Sequence, residues 1–418
     1  MRSWINFFNQ NRNLVLFGFL LTFFSSFGQT FFVSLFVPEV LREFSITNAS
    51  FGSLYAIATL ISAFCLTWLG SFIDQADLRT FSWLVIAGLC LSLLVFSQAS
   101  HIIWLGAGLW GMRLAGQGLM SHTAVTTMAR YFTDARGKAI SLATLGHAAG
   151  GALFPILIAI SIQELGWRNT LLLSALLLAL VLPLLVAYLL KDVTTDPAAF
   201  RESTLNTSTT TTTKAMGGAA TKVPVKKSST YRTILSSKAF WYIAPGVLAM
   251  PFLNTAIFFY QLPLGASKGW SAEWVALSFT GYAIASAVCV LLAGQWTDTL
   301  SARHLFPYFL LPLLMATMLI FFFDSRWVTP VFFVLVGVSS GVGNTVKSAL
   351  QAEMFGVEFL GTVRSLFSAL MVVSTALGPA AFGFLLDAGL SFEMVFAVAA
   401  AYLVITIFWN FRLKAATA

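Results

Sequence analysis

The chain has 418 residues, of which 58% are hydrophobic and only 10% charged, with a formal net charge of +8. That charged share lies far below the near-quarter of an ordinary soluble domain and excludes a soluble globular fold, which could not cover so much apolar surface. The three cysteines, Cys65, Cys90 and Cys289, lie in apolar runs without CxxC or His/Cys metal spacing, so no disulfide framework, metal site or cofactor is implied.

A helix needs about 20 apolar residues to cross a hydrocarbon core of roughly 30 Å. Hydropathy places six such spans near 13–37, 50–72, 81–99, 102–129, 138–163 and 168–190. The first is longer than a signal-peptide core and lacks a small-residue cleavage site, so it is expected to be retained. Residues 191–238 are polar, hold the threonine run Thr209 to Thr213, and collect Lys222, Lys226, Lys227 and Arg232 toward their end. Such a composition cannot bury a core and reads as a flexible linker. Six further spans follow near 239–263, 272–297, 304–323, 327–352, 364–386 and 392–412. The expected architecture is an all-α integral membrane protein of twelve transmembrane helices: an N-terminal six-helix bundle over 1–190, a linker over 191–238 and a C-terminal six-helix bundle over 239–418.

Eighteen of the 24 Lys and Arg residues fall on the face that carries both termini; Arg42, Arg168, Lys268 and Arg326 fall on the other, and Arg113 and Lys347 lie within spans. Translocation disfavours cationic loops, so the termini are expected in the cytoplasm of a cell whose inner (plasma) membrane holds the protein. The same bias accounts for the net charge, and no basic stripe with interleaved aromatics points to nucleic acid.

The two sets of six spans contain a repeat at an offset of 224 residues. Gly70, Asp74 and Arg79 recur as Gly294, Asp298 and Arg303; Gly137 and Ser141 as Gly361 and Ser365; Ala152, Leu153 and Pro155 as Ala376, Leu377 and Pro379. Two parallel repeats about an axis along the membrane normal suit alternating access to a site between them.

Three motifs carry a family resemblance. The first is the loop Gly70-Ser-Phe-Ile-Asp74-Gln-Ala-Asp77-Leu-Arg79 with its weaker copy from Gly294 to Arg303. The second is Leu109-Trp-Gly-Met-Arg113-Leu-Ala-Gly116-Gln117-Gly118 in span four. The third is Tyr131-Phe132-Thr-Asp134-Ala-Arg136-Gly137-Lys138-Ala139-Ile-Ser141, continuing through Gly146 and Gly150. Together they resemble the major facilitator superfamily, and the third is similar to the monocarboxylate and oxalate/formate branch. The loop departs from the family pattern at Gln75, Ala76 and Leu78, and the animal monocarboxylate first-helix signature is absent. The resemblance implies a secondary transporter with gating roles for Gly70, Asp74, Arg79, Gly294, Asp298 and Arg303, and a cavity lined by spans one, four, seven and ten. Physically, a glycine allows close helix approach and Asp74 or Arg79 can pair with a neighbouring helix end or its dipole.

No acidic residue falls at mid-membrane, whereas Arg113 lies near the middle of span four and Lys347 lies in span ten. Buried cations are costly and face a cavity or a partner, so an anionic substrate becomes their natural partner, gripped by the Arg113 fork and the Lys347 point charge. The alternatives are a bond from Arg113 to backbone carbonyls or a loop acid, and snorkelling of Lys347 to the surface. Polar stripes at helical spacing extend the site: Ser25, Gln29 and Phe32 in span one; Gln117 one turn below Arg113; Asn254, Phe258 and Gln261 in span seven; Ser340, Asn344, Lys347 and Gln351 in span ten. His147 and His122 are the candidates for carrying a coupling proton. Gly146, Gly150 and Gly151 are expected to pack span five closely on a partner helix, and Pro155 and Pro379 to kink spans five and eleven.

The reading is a monomeric transporter of a small organic anion, a monocarboxylate, coupled to a proton or counter-anion. Two alternatives are efflux of amphipathic drugs or metabolites, suggested by the forty phenylalanines, and a non-transporting membrane sensor. No Ser/His/Asp, HExxH or paired-carboxylate constellation supports an enzyme.

Overall fold

A computed structural model describes residues 2–132, 135–196, 234–355 and 360–415. Most of the expected linker therefore lies outside the described residues, as does the Asp298 side chain. Nine helices among the described residues are each long and apolar enough to cross a membrane, and they are spans two, three, five to eight and ten to twelve. The other three expected spans are present but interrupted. Span one is a bent pair, Arg12–Gly28 and Thr30–Phe44, meeting at 44°. Span four runs as Ile102–Gly111, a π-helical stretch Met112–Met120, and Ser121–Tyr131. Span nine divides into Ala302–Leu305 and Leu311–Phe322. Large apolar side chains such as Phe64, Leu84, Leu184 and Phe408 stand exposed on the outside, as a lipid-facing surface requires.

The break in span one has a packing cause. At Gly28 an added Cβ would fall inside contact distance of the Met112 carbonyl and the Gln117 amide, so the backbones of spans one and four touch there. Ser25–Gly28 tightens to a 3₁₀ turn and Gln29 is extended, with ψ 155°. This overturns the expected Ser25, Gln29, Phe32 stripe, since an extended residue resets the helical register; Ser25 instead donates to the Thr22 carbonyl at 2.6 Å. Span seven likewise ends at Phe259, and Gln261 opens a separate short helix, Gln261–Ser267. Asn254 and Gln261 consequently do not share one continuous helix face.

Each half is tied together by ion pairs at equivalent places with opposite sign. In the first half Glu43, at the end of span one, receives Arg168 Nη2 at 2.6 Å and Trp167 Nε1 at 2.7 Å from the start of span six. Arg168 also donates to the Ala99 carbonyl after span three, at 2.7 Å. In the second half Lys268 takes the place of the acid: its ammonium meets Glu393 at 3.1 Å at the start of span twelve and Asp324 after span nine. Trp270 Nε1 donates to the Asp324 carbonyl at 2.9 Å. Glu43 and Lys268 are 225 residues apart, as are Arg168 and Glu393. The duplicated geometry has survived an exchange of charge.

The halves meet toward the Asp387 end of the molecule. Gln261 Nε2 donates to Ser34 Oγ at 2.7 Å, Thr280 Oγ1 to the Ala152 carbonyl at 2.9 Å, and the Tyr260 hydroxyl lies 3.0 Å from the Asn48 carbonyl. Span two lies against span eleven so tightly that a Cβ on Gly52 would come within 2.7 Å of the Pro379 carbonyl. Toward the opposite end, which carries Asp74, no hydrogen bond joins the halves among the described residues, and a cleft opens between them.

Candidate functional site

The cleft has a volume of about 490 Å³ and runs between span five and span eight, with Phe31 of span one and Asn344 of span ten completing its walls. Ser141, Thr144, His147 and Gly151 mark one wall, so the cleft follows span five for ten residues, about 15 Å at the α-helical rise. It ends at the Thr280 to Ala152 hydrogen bond. The facing wall carries Tyr282, Ser286 and Leu291.

Of the residues expected to bind substrate, Asn344 lines this cleft and is exposed to it. Lys347 lies three residues further along the same helix, toward the Asp74 end. It is 6% exposed, and its ammonium has no hydrogen bond or ion pair among the described residues. A helical side chain leans toward the N-terminus of its helix, which here directs Lys347 toward the turn of Asn344. Its stripe neighbour Ser340 is buried and receives Asn254 Nδ2 at 2.7 Å. Among the described residues the side-chain amide oxygen of Asn254 has no hydrogen-bond partner, and neither has that of Gln261.

Arg113 is 3% exposed and packed inside the first half. Its Nη1 donates to the Gly28 carbonyl at 3.1 Å, its Nε to Thr59 Oγ1 at 3.2 Å, and the guanidinium carbon stands 4.8 Å from the Tyr55 ring centre. The arginine thereby satisfies a carbonyl freed by the break in span one. Tyr55 is held in turn by Thr30 at 2.6 Å. Gln117 sits within the π stretch, whose wider turn rotates it away from the position an α-helix would assign beneath Arg113. Gln29 is half-buried at the break. Gln261 is 2% exposed and committed to the contact between halves.

The two histidines part company. His147 is exposed to the cleft, with the Phe31 ring 6.1 Å away edge-on. His122 donates from Nε2 to the Gly70 carbonyl at 3.2 Å, at the far end of span two. The loop that follows is bound within its own half: Arg130 Nη2 meets Asp74 at 2.5 Å and both of its terminal nitrogens reach the Ile73 carbonyl, while Arg79 Nη2 donates to the Leu190 carbonyl at 2.9 Å. In the second copy the Glu353 carboxylate receives the Ala302 amide at 2.8 Å and the Arg303 amide at 3.2 Å, and Arg303 Nη2 donates to the Glu353 carbonyl. Gly294 has open space where a Cβ would stand.

Sequence reasoning did not single out Tyr282, Ser286 or Thr144 for the cleft. Each lies in a predicted span, and only its position opposite the other half distinguishes it from a lipid-facing hydroxyl.

A model of the Major Facilitator Superfamily matches residues 18–278 and 261–418. Among solved structures, the chain is similar to a bacterial homologue of the human lysosomal transporter Spinster in its inward-facing, unoccupied form (TM-score 0.74, 14% identity, 96% of each chain). The occupied form gives a TM-score of 0.72 at 15% identity, covering 99% of this chain and 97% of that one. The nucleoside transporter NupG gives 0.73 at 12% identity, covering 96% and 99%. No curated protein sequence matches the chain.

Proposed function

Since the chain belongs to the Major Facilitator Superfamily and is a multi-pass membrane transporter, we propose that it carries a small organic anion, a monocarboxylate, by alternating access. The observation that carries this reading is Lys347: a buried side chain whose ammonium has no hydrogen bond or ion pair among the described residues, one turn from a residue that lines the cleft between the halves. An unpaired cation inside a bilayer is costly, and a substrate carboxylate would relieve that cost through a charge-assisted hydrogen bond. Arg113 is assigned a supporting role, holding the break of span one through Gly28 and Thr59 and presenting its remaining donors when the halves move. His147, in the cleft, is the coupling-proton candidate; His122 is assigned to the loop after span two.

The bias of Lys and Arg supports an inner-membrane orientation with both termini cytoplasmic. On that orientation the cleft opens inward, and the pairs Asp74 with Arg130 and Arg303 with Glu353 flank its mouth as gating elements.

Counterflow of labelled lactate and benzoate in proteoliposomes tests the anion assignment. Lys347→Gln is expected to lower uptake at least 100-fold with unchanged membrane insertion; full uptake by that variant refutes the assignment. One observation favours a second reading, movement of an amphipathic uncharged metabolite: the residues lining the cleft bring hydroxyl, amide and imidazole groups but no formal charge. Dye efflux in the absence of carboxylate counterflow would select it.

A further inference from the structure

Of the four cations on the face that carries the Asp387 end, three are committed to acids. Arg42 meets Glu39, Arg168 meets Glu43, and Lys268 meets Asp324 and Glu393. The fourth, Arg326, lies in the loop between spans nine and ten, is exposed, and has no ion pair among the described residues. Its guanidinium carbon stands 5.7 Å from the Trp274 ring centre and 5.4 Å from that of Trp327, within cation–π range. Trp274 Nε1 donates to the Arg326 carbonyl at 2.8 Å, and the two indoles meet edge-on at 5.1 Å, which fixes the loop. Arginine offers five N–H donors in a planar fork that matches a phosphate bidentately. Here no carboxylate among the described residues takes them.

Next to this loop the outer surface is cut by two apolar grooves, one on each side of span nine. The first, of about 560 Å³, lies between spans nine and ten and runs from Phe323 and Val331 down to Leu314 and Leu335. The second, of about 430 Å³, lies between spans nine and twelve, where Ala397, Ala400 and Ala401 leave a channel walled by Phe321 and Ile405. Met318 and Phe322 belong to both, so one ridge parts them. Phe322, Val331 and Ile405 are exposed while Ala400 beneath them is buried, so both grooves stand open. Leu314 to Phe323 and Ala397 to Ile405 each cover about 12–14 Å at the α-helical rise, close to half of a hydrocarbon core of roughly 30 Å. Each groove therefore has the depth of one leaflet and begins at the end that carries Arg326.

We infer that this corner of the molecule binds a two-chained anionic phospholipid from the leaflet at the Asp387 end, with its phosphate on Arg326 and one acyl chain in each groove astride Met318 and Phe322. The uncompensated guanidinium selects the headgroup, and two grooves parted by a single ridge select two chains. Every residue of the site belongs to the second half. The lipid would clamp spans nine, ten and twelve together and stay bound while the halves rock, whatever the cleft carries.

The test is native mass spectrometry of the purified, delipidated full-length protein, titrated with dioleoylphosphatidylglycerol, its single-chain lyso form and dioleoylphosphatidylcholine, and read as affinity for the first lipid bound. Phosphatidylglycerol is expected to bind at least tenfold more tightly than either of the others. Arg326→Gln, at an exposed position, is expected to abolish the preference over phosphatidylcholine. Ala401→Phe, which fills the second groove from its exposed side, is expected to lower phosphatidylglycerol to the level of the lyso form and leave the lyso form within twofold. Ala397→Leu fills the same groove and keeps the test open if the phenylalanine variant fails to fold. Equal affinity for phosphatidylglycerol and phosphatidylcholine, undiminished phosphatidylglycerol binding by Arg326→Gln, or undiminished binding by the groove variants overturns the site. A dimer in detergent that Ala401→Phe splits, with lipid binding unchanged, assigns the face to a second copy of the chain and overturns it as well.

Discussion

Asp387, the last residue of span eleven, accepts the backbone amide of Ala49 at 2.7 Å and that of Asn48 at 3.2 Å, so a carboxylate from one half caps the first turn of span two in the other. The Asn48 side-chain amide adds a third donor at 3.2 Å. An anion at a helix N-terminus satisfies orphan amides and complements the helix dipole. The contact must break whenever the Asp387 end opens.

Replacing Asp387 with Ala should therefore loosen that closure. Hydrogen bonds to charged groups contribute about 1.5–3 kcal/mol each to stability, and loss of even one such increment raises the open population roughly tenfold. The check is maleimide labelling of a cysteine placed at Ser34, which is fully buried at the same contact, in a background lacking Cys65, Cys90 and Cys289. Labelling is expected to accelerate about tenfold; an unchanged rate would show that Tyr260 and Gln261 hold the closure without Asp387.

Arg113→Ala should affect stability as well as transport, because the Gly28 carbonyl and Thr59 hydroxyl lose their donors in a dry interior. A buried acceptor left without its donor costs about 1–3 kcal/mol. Thr59→Val removes one of the two bonds, so the double variant should fall short of the sum of the single losses. A double-mutant cycle on thermal unfolding in detergent measures this; strict additivity would argue that the arginine and the threonine act independently.

The Lys268 cluster predicts a marked non-additivity. Its side chain is 1% exposed, and its ammonium has two acidic partners, Asp324 and Glu393. Glu393→Gln or Asp324→Asn alone should cost about 1 kcal/mol or less, because the other acid remains and both acids are partly solvated. Both changes together strand a buried cation, a loss of about 3–5 kcal/mol. Melting temperatures of the four species decide it, and equal small losses throughout would mean that Lys268 escapes to water.

Gly146→Ala and Gly151→Ala should differ sharply although five residues separate them on one helix. The first forces a methyl group into the Phe19 carbonyl; the second adds one at 3.8 Å from two ring edges. Overpacking costs about 1–3 kcal/mol or more, whereas the cleft-side change should stay within about 0.5 kcal/mol. Yield and melting temperature in detergent are the measurements.

Several features were legible in the residues themselves. The twelve spans followed from apolar length, and the 224-residue offset announced two related halves. The alternative offered for Arg113, a bond to backbone carbonyls, is realised at Gly28. What the periodicity could not supply was continuity. The stripes through Gln29 and Gln261 assumed unbroken helices, and both helices break, span one because Gly28 is pressed against the π stretch of span four.

Membrane insertion and duplication are properties of composition along the chain, and for this protein the amino-acid order alone determined them: hydrocarbon forces long apolar helices, and repeated residues report a repeated unit. The tertiary structure decided which polar residues face the cleft and which lock the halves together. His147 and Asn344 came to line an opening, while Gln261 and Asp387 came to bridge a seam. The physical reason is that helical spacing assigns a residue to a face, but the neighbour that face meets depends on how two rigid bundles dock, a relationship between residues hundreds of positions apart.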